Sequence, residues 1–400
     1  MGRLKTLDKI KTALESRPAE LEELRKNGKK IVGWLAYNIS EELIYALGLV
    51  PVRLGQGGDG RLVEVGARHI STKNCVFVRQ ALGQFAEKTD PYIKQLDLVV
   101  VDATCIQIYR LEELINFYFG YKTLVLGVPR NFATSEGREY FRKEVEHFTK
   151  ELEEFAGARL EPSKLDEAIK IYQGIRDAIK TLYKYQSQHD APLSWREVFS
   201  VVHAGYYLDR QKYLELLQEL VREVEENLPK QSERRAIEAR IFLSGSLIAP
   251  GDTKLIDIIE QAGGKIVGDD LWSGLNFFID LEVKEPTTDS VADAYLDRVP
   301  HASLPYLDLP SDRRLANLKN QIQQFGADGV IYHTLRYCDA FTFKAGETKN
   351  VLGNVPFMEI HTEYSGSDFE AIRTRVEAFV EMIKNKNELV EVTINVNGGR

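Results

Sequence analysis

The chain has 400 residues, of which 44% are hydrophobic and 28% are charged, a composition that predicts a folded protein of two to three domains. Its 52 basic and 60 acidic residues give a formal net charge of -8, so we expect no binding of nucleic acid. No stretch approaches the roughly 18 apolar residues that span a bilayer. The charged N-terminal segment has no apolar core like that of a signal peptide, and we expect a cytoplasmic protein without membrane contact.

Helix and strand patterns alternate from the start of the chain. An amphipathic helix is predicted over 5–28 and a second helix over 76–88. Between them, SEELIYALG (40–48) has the acidic first turn and the terminal glycine of a short helix. Four apolar runs are strand-like: 31–36, 49–54, 96–103 and 122–128. Such alternation is typical of an open α/β sheet.

The stretch from about 133 to 230 has a different character, with long charged helical patterns and almost no strand signal. The α/β alternation returns after it. The predicted strands are at 240–246, 265–269, 328–334 and 355–360, and the predicted helices are at 253–264, 313–326 and 368–385.

The two α/β stretches share one order of elements: a strand, a helix closed by Gly48 or Gly263, a strand, an irregular stretch, a helix, and a strand followed by a cysteine. This weak duplication predicts an α/β fold of two parallel-sheet domains, flavodoxin-like or Rossmann-like, that face each other. The expected boundaries are an N-terminal helix at 1–30, a first α/β domain at 31–132, a helical insertion at 133–237 and a second α/β domain at 238–400.

The three cysteines are too few for a disulfide framework and suit a reducing compartment. Cys105 closely follows the strand pattern at 96–103, and Cys338 comes four residues after the one at 328–334. The carboxyl ends of parallel strands are where open α/β sheets bind ligands. Cys75 begins a helix, where backbone N–H groups favour a thiolate. The three cysteines therefore share one kind of setting.

Two interpretations of these cysteines are open at this point. A free cysteine is often a small buried residue of the core. Three thiolates from two domains also suit a metal centre, either zinc or an iron–sulfur cluster, although their spacing matches no zinc ribbon. A shared site requires the two sheets to face each other, and in that case we expect the three sulfur atoms to converge.

Several segments resemble the 2-hydroxyacyl-CoA dehydratase and benzoyl-CoA reductase family over about 30–385. They are GWLAYNISEELIYALGLVPVRLGQ, NCVFVRQALG, VVVDATC, LSGSLIAPGDTKLIDIIEQAGGKIVGDD, RYCDAF and DFEAIRTRVEAFVEMI. The last, with Arg373, Arg375, Glu377, Phe379 and Glu381, is the most specific. The resemblance implies that Cys75, Cys105 and Cys338 bind a 4Fe-4S cluster between two α/β domains and leave one iron without a cysteine ligand. It also implies that a separate ATP-hydrolysing activator protein supplies the electrons.

The chain lacks the common nucleotide-binding motifs. It has no GxxxxGKS or GxxxxGKT sequence and no GxGxxG after a strand, so we expect it to bind neither ATP nor NAD. The glycine-rich GQGGDG at 55–60 has no helix pattern behind it, and we interpret it as a flexible loop. ATP hydrolysis is accordingly expected in the activator and not in this chain.

The resemblance leaves three branches of the family open. These are heterodimeric dehydratases that act on a 2-hydroxyacyl-CoA through a ketyl radical, aromatic acyl-CoA reductases, and homodimeric proteins in which a sulfide joins two cubanes into an 8Fe-9S double cubane. Val76 replaces a proline common in dehydratase subunits, and IQIYR follows Cys105 where the hydroxyglutaryl branch has an Asp-Gly-Lys-Lys type of sequence. We therefore predict a homodimeric, activator-dependent reductase, with a dehydratase or reductase subunit in a heterodimer as the alternative and a non-catalytic partner subunit as a second alternative.

Two histidines are predicted as catalytic residues. His333 ends the strand that leads to Cys338, and His361 ends the next strand. The resemblance places further polar and aromatic residues near the cluster: His69, Ser71, Arg79, Ser246, Trp272 and Arg336. The substrate is not predicted from the sequence.

Overall fold

The computed structural model describes residues 4–229, 238–304 and 313–397, and these residues contain two four-stranded sheets. The first sheet consists of β1 (Ile31–Leu35), β2 (Val50–Arg53), β3 (Leu98–Asp102) and β4 (Thr123–Leu126). All its strand pairs are parallel, and the strand order is β2-β1-β3-β4. Every residue of β1 and β3 is buried, which explains why these strands are continuous apolar runs.

The second sheet repeats the topology of the first. It consists of β5 (Ala239–Gly245), β6 (Gly264–Asp269), β7 (Gly329–Leu335) and β8 (Phe357–Thr362), all parallel, in the order β6-β5-β7-β8. In each sheet the strand order reverses direction between the first and third strands of the sheet, which is the place where open α/β sheets form a crevice. The predicted fold class of two parallel-sheet α/β domains is confirmed.

Fifteen helices surround and connect the sheets in the described residues. They are α1 (Lys5–Lys26), α2 (Glu41–Ala46), α3 (Gly60–Gly66), α4 (Val76–Glu87), α5 (Ile106–Phe119), α6 (Ser135–Ala156), α7 (Pro162–Gln186), α8 (Trp195–Ala204), α9 (Arg210–Glu226), α10 (Lys254–Gln261), α11 (Thr288–Asp297), α12 (Arg313–Gln324), α13 (Asp339–Thr342), α14 (Ala345–Leu352) and α15 (Phe369–Asn397). None of them combines the length and apolar character that crossing a bilayer requires.

The stretch between the sheets is helical, as predicted, and its helices contact both halves of the chain. Helix α6 packs on β4 and on α11, while α7 packs on α2 and α8 packs on β6. The N-terminal helix α1 packs on α8 and α9. The division of the chain at 30, 132 and 237 stays a prediction, and residues 1–3, 230–237, 305–312 and 398–400 lie outside the described part of the chain.

Several helices were not predicted from the sequence: α3, α5, α11, α13 and α14. Helix α3 begins within GQGGDG, where we expected a flexible loop without a helix behind it. The Asp59 carboxylate accepts from the backbone N–H groups of Arg61 (2.9 Å) and Leu62 (3.2 Å) and so caps this helix. Helix α5 was not predicted, although it begins directly after Cys105.

Candidate functional site

A cavity of about 630 Å³ lies where the carboxyl ends of the two sheets meet. Its wall comes from the segments that follow β1, β3, β5, β6 and β7, from the start of α4, and from residues 301–304. The loops after β1 and β3 are tied together by Asp102, whose carboxylate accepts from the N–H groups of Tyr37 and Thr104, both at 2.9 Å. The cavity is therefore built at the crevice that the topology of each sheet provides.

All three cysteines line this cavity. Cys105 and Cys338 each lie three residues after the end of the third strand of their sheet, β3 or β7, so the duplicated fold places them at equivalent positions. Cys75 is buried, and the other two cysteines are half-buried. Cysteines from both halves of the chain thus lie on the wall of one cavity, and the close approach of their sulfur atoms stays a prediction.

Each cysteine is the residue directly before a helix: Cys75 before α4, Cys105 before α5 and Cys338 before the single turn α13. None makes a close capping hydrogen bond through its side chain. The N-termini of α4 and α5, which have 12 and 14 residues, therefore lie at the cavity, and N–H groups of their first turns act on the thiols of Cys75 and Cys105. A helix N-terminus carries partial positive charge and favours an anionic group.

The thiols of Cys75 and Cys338 form a coupled pair. Cys338 donates a hydrogen bond to Cys75, which lowers the pKa of Cys75 and raises the pKa of Cys338 well above its ordinary value. The backbone N–H groups of Phe77 and Val78 lower the pKa of Cys75 further. Burial raises the pKa of Cys105, against the opposing effect of the first-turn N–H groups of α5. Cys75 is thus the one of the three cysteines whose thiolate is favoured by its surroundings.

His301 is the main residue of this cavity that the sequence analysis missed. Its ring lies against three aromatic rings, those of Phe341, Tyr37 and Trp272, at centroid distances of 5.2, 5.5 and 5.6 Å. Burial, together with two arginines, lowers its pKa to about 3, so the ring is neutral. The irregular segment that carries His301 has no helix or strand period, and no signal in the sequence distinguished this histidine.

The two histidines predicted as catalytic residues lie outside the wall of the cavity. His333 is buried within β7, where its Nε2 pairs with the Thr362 hydroxyl at 2.6 Å. Burial lowers the pKa of His333 to about 3. His361 is on β8, half-exposed, and pairs with the Thr334 hydroxyl at 2.6 Å. His333 is thus on the strand that leads to Cys338 and His361 on the neighbouring strand, and their catalytic role stays a prediction.

Of the six other residues that the resemblance places near the cluster, one lines the cavity, two contact the cysteine segments and three make other contacts. Trp272 lines the cavity. Arg79 donates to the backbone carbonyl of Asn74 (3.1 Å), and the Arg336 carbonyl accepts from the Val76 N–H (3.3 Å), so both shape cysteine segments. His69 packs against two aromatic residues at the far end of α5, and Ser246 accepts from the Leu335 N–H. Ser71 caps its own turn, accepting from the Lys73 N–H.

Two backbone conformations beside the cavity are unusual. Ala36, which follows β1, has φ +96°, and Tyr337, which precedes Cys338, has φ +64°. Side-chain-bearing residues rarely adopt this left-handed region, which costs on the order of 1–3 kcal/mol and is found most often at functional sites. Both residues therefore point to the cavity as the functional site.

The donor set suits a cluster better than a single metal ion. In the described ranges, no three His, Cys, Asp or Glu side chains are arranged around one ion. A cubane makes a different demand, because each of its cysteines binds a separate iron and the inorganic sulfides fill the space between. Three thiols on the wall of a cavity, facing helix N-termini, meet that demand.

Comparison with known proteins agrees with this geometry. The chain is 25% identical to a protein of Escherichia coli (strain K12) whose name marks it as a dehydratase subunit, YjiM, over 90% of this chain and 93% of the relative. It is 23% identical to (R)-2-hydroxyglutaryl-CoA dehydratase, subunit beta, of Acidaminococcus fermentans, over 91% and 95% of the two chains. It is 22% identical to one of the subunits of the benzoyl-CoA reductase of Thauera aromatica, over 89% and 91%.

The family model for 2-hydroxyglutaryl-CoA dehydratase, D-component, matches residues 36–383. This range contains all three cysteines, every strand of the two sheets except β1, and His301. Because the match covers most of the chain, the protein belongs to the 2-hydroxyglutaryl-CoA dehydratase D-component family.

Proposed function

We propose that this chain is a subunit of an activator-dependent acyl-CoA dehydratase or reductase, and that Cys75, Cys105 and Cys338 hold a 4Fe-4S cluster in the cavity. The observation that carries the proposal is the presence of all three cysteines of the chain on the wall of one cavity between the two sheets. A cysteine that served only to fill the core would have no reason to lie before a helix at the carboxyl end of a strand.

The chemistry of the donor set supports a cluster with an open iron. Thiolates are the ligands that iron–sulfur clusters prefer, and three of them leave one iron of a cubane free to meet another group. The N-termini of α4 and α5 stabilise the negative charge of such a ligand set. When bound, the cluster would supply single low-potential electrons for the reduction of an acyl thioester.

The chain's own residues then bind and orient the thioester. His301 Nδ1 accepts from the Ser303 N–H at 3.1 Å, so the single proton of the neutral ring is on Nε2. That N–H has no hydrogen-bond partner among the described residues and is the donor we assign to the thioester oxygen. Arg130 also lines the cavity and is the positive charge we assign to the phosphates of a CoA ester, whereas Lys344, also on the wall, pairs with Glu347 at 3.1 Å.

The proposed partners are a second, different subunit and an ATP-hydrolysing activator. The relatives carry the names of subunits, which supports a heterodimeric assembly over the homodimeric double cubane. The chain lacks the common nucleotide-binding motifs, so we assign ATP hydrolysis to the activator. The activator would then also supply the electrons.

Anaerobic purification with analysis of iron, acid-labile sulfide and EPR tests the cluster. We expect about four irons per chain and an EPR signal after reduction with dithionite. The variant Cys105→Ser should lose iron and keep its far-UV circular dichroism. Iron below one atom per chain after anaerobic reconstitution would reject the proposal, whereas a sulfide excess corresponding to 8Fe-9S per dimer would favour the double-cubane alternative.

The substrate class is tested with the thioesters that the names of the relatives supply. These are (R)-2-hydroxyglutaryl-CoA, (R)-phenyllactyl-CoA, lactoyl-CoA and benzoyl-CoA. Turnover of one of them by the complex, dependent on ATP and activator, is the expected result. If the iron-replete protein binds none of these four thioesters, the proposal of an acyl-CoA substrate is rejected.

A further inference from the structure

The side chain of Gln107 connects the segments that carry the three cysteines. It lies in the first turn of α5, two residues after Cys105. Its Oε1 accepts from the backbone N–H of Cys75 at 2.6 Å, and its Nε2 donates to the backbone carbonyl of Tyr337, the neighbour of Cys338, at 3.0 Å. One side chain thus contacts the backbone at or beside each of the other two cysteines.

Both ends of this amide have a defined role. An amide side chain has an acceptor at one end and donors at the other, and only the observed orientation pairs the oxygen with an N–H and the nitrogen with a carbonyl. One further backbone bond joins the same segments, from the Val76 N–H to the Arg336 carbonyl at 3.3 Å. The bond from Gln107 to Tyr337 is the shorter of these two links between the halves.

The segment that Gln107 holds is under strain. Tyr337 has φ +64°, a conformation that a tyrosine adopts only when its surroundings impose it. Its side chain is exposed, so packing of the ring contributes little to holding it. The hydrogen bond from Gln107 to its carbonyl therefore adds a side-chain restraint from the first half of the chain to the backbone hydrogen bonds of this segment, such as the one from the Cys338 N–H to the Leu335 carbonyl at 2.9 Å.

We infer that Gln107 is a positioning residue that sets the placement of Cys75, Cys105 and Cys338 relative to one another, and thereby the retention and electronic environment of the cluster. The inference rests on the proposed function. No covalent link joins the two halves at this point, and the cysteines belong to loops of different sheets. A residue that spans them fixes their spacing before a cluster is inserted and keeps it while electrons are added. Hydrogen-bonding groups around a metal ligand set act in this way.

The test compares Gln107→Leu with a matched control, Gln80→Leu. Gln80 makes the same pair of bonds elsewhere in the first half: its Oε1 accepts from the Asp59 N–H (2.9 Å) and its Nε2 donates to the Gln56 carbonyl (3.1 Å). Both substitutions remove two hydrogen bonds to backbone groups of loops. Only the first removes bonds to cysteine segments.

The measurements use the full chain after anaerobic reconstitution: bound iron, the EPR spectrum of the reduced protein, and the rate of iron release to a chelator. We expect Gln107→Leu to release iron about 10- to 100-fold faster than the wild type and to change the EPR spectrum, with Gln80→Leu unchanged in both. Gln107→Glu keeps the acceptor for Cys75 and loses the donor for Tyr337, so it should also release iron faster. If Gln107→Leu fails to fold, Gln107→Glu still tests the hydrogen bond to the Tyr337 carbonyl.

The outcomes separate this inference from the proposed function. A wild-type protein that takes up no cluster would overturn the proposed function and the inference with it. A wild-type protein with a cluster, together with Gln107 variants of unchanged iron release and EPR spectrum, would overturn the inference alone. Equal losses in Gln107→Leu and Gln80→Leu would also reject it, because they would show a general effect on folding.

Discussion

At the scale of single residues, the surroundings of His301 make it a hydrogen-bond donor that carries no charge. The aromatic rings around it and two nearby arginines disfavour the imidazolium, and the backbone N–H of Ser303 occupies Nδ1. A neutral donor stabilises negative charge that develops on a substrate oxygen and does not lose a proton to it. This is why a histidine with a pKa of about 3 is still suited to a role in the reaction.

We predict that His301→Phe lowers kcat about 100- to 1000-fold for the thioester that the wild-type complex turns over, with a much smaller change in KM. Phenylalanine preserves the packing among the aromatic rings and removes the donor. The matched control is His203→Phe, since His203 also packs against aromatic rings and has a pKa of about 3 but is not part of the cavity wall. Equal kcat in His301→Phe and wild type would exclude His301 from the reaction.

At the scale of elements, the crossing of α3 and α4 determines where Cys75 lies. The two helices touch through glycines: a Cβ on Gly66 would be 1.8 Å from the Arg79 carbonyl oxygen, and a Cβ on Gly83 would be 2.0 Å from the Leu62 carbonyl oxygen. No side chain can be accommodated at these two positions without moving a helix. Because α4 begins directly after Cys75, a shift of α4 also displaces this cysteine.

We predict that Gly83→Ala lowers the free energy of unfolding by about 1–3 kcal/mol, because the added methyl group forces the two helices apart. Iron bound after reconstitution should fall with it. Gly346→Ala is the control: nothing lies within 4 Å of its Cβ in α14, and alanine is the better helix former, so stability should stay the same or rise by up to about 1 kcal/mol. Chemical denaturation of both variants checks the prediction, and a Gly83→Ala protein as stable as the wild type would contradict it.

The elements also show what a sequence can predict. All eight strands were predicted within a few residues, because strands buried in parallel sheets are apolar throughout. Helix α3 has seven residues, too few to establish a period, and it begins at a glycine. Helix α5 buries only Ile108, Leu111 and Ile115 and exposes other large apolar residues, so its pattern has no clear polar face. Because α5 was not predicted, the sequence analysis also did not show that Cys105 precedes a helix.

At the scale of the whole molecule, the repeated order of elements predicted the architecture and the meeting of the cysteines. The two sheets share one topology, and the loops after β3 and β7 line the same cavity. The rest of the cavity was not predictable in this way. Residues 301–304 reach the site from an irregular segment, and the bonds of Gln107 depend on side-chain geometry that no periodic pattern encodes.

The mouth of the cavity has an apolar rim that indicates how the molecule assembles. Ile106 and Phe343 line the cavity and are 65% and 80% exposed. Large apolar side chains grouped around a site are typical of a surface that a partner protein covers. The cluster that we propose would have an open iron and would also need protection from solvent, which a partner protein on this rim would give. Both considerations favour a partner protein on this rim.

We predict that Phe343→Glu weakens binding of the partner subunit, whether that partner is a second copy of this chain or the different subunit that we propose. A carboxylate at this position would have to be buried against apolar surface, at a cost of several kcal/mol when it is unpaired. Phe117→Glu is the matched control, because Phe117 is 78% exposed at the far end of α5 and is not part of the cavity wall. Sedimentation velocity should show dissociation for Phe343→Glu and an unchanged complex for Phe117→Glu. An intact complex in Phe343→Glu would place the partner on another face, whereas dissociation in Phe117→Glu alone would place it against the far end of α5.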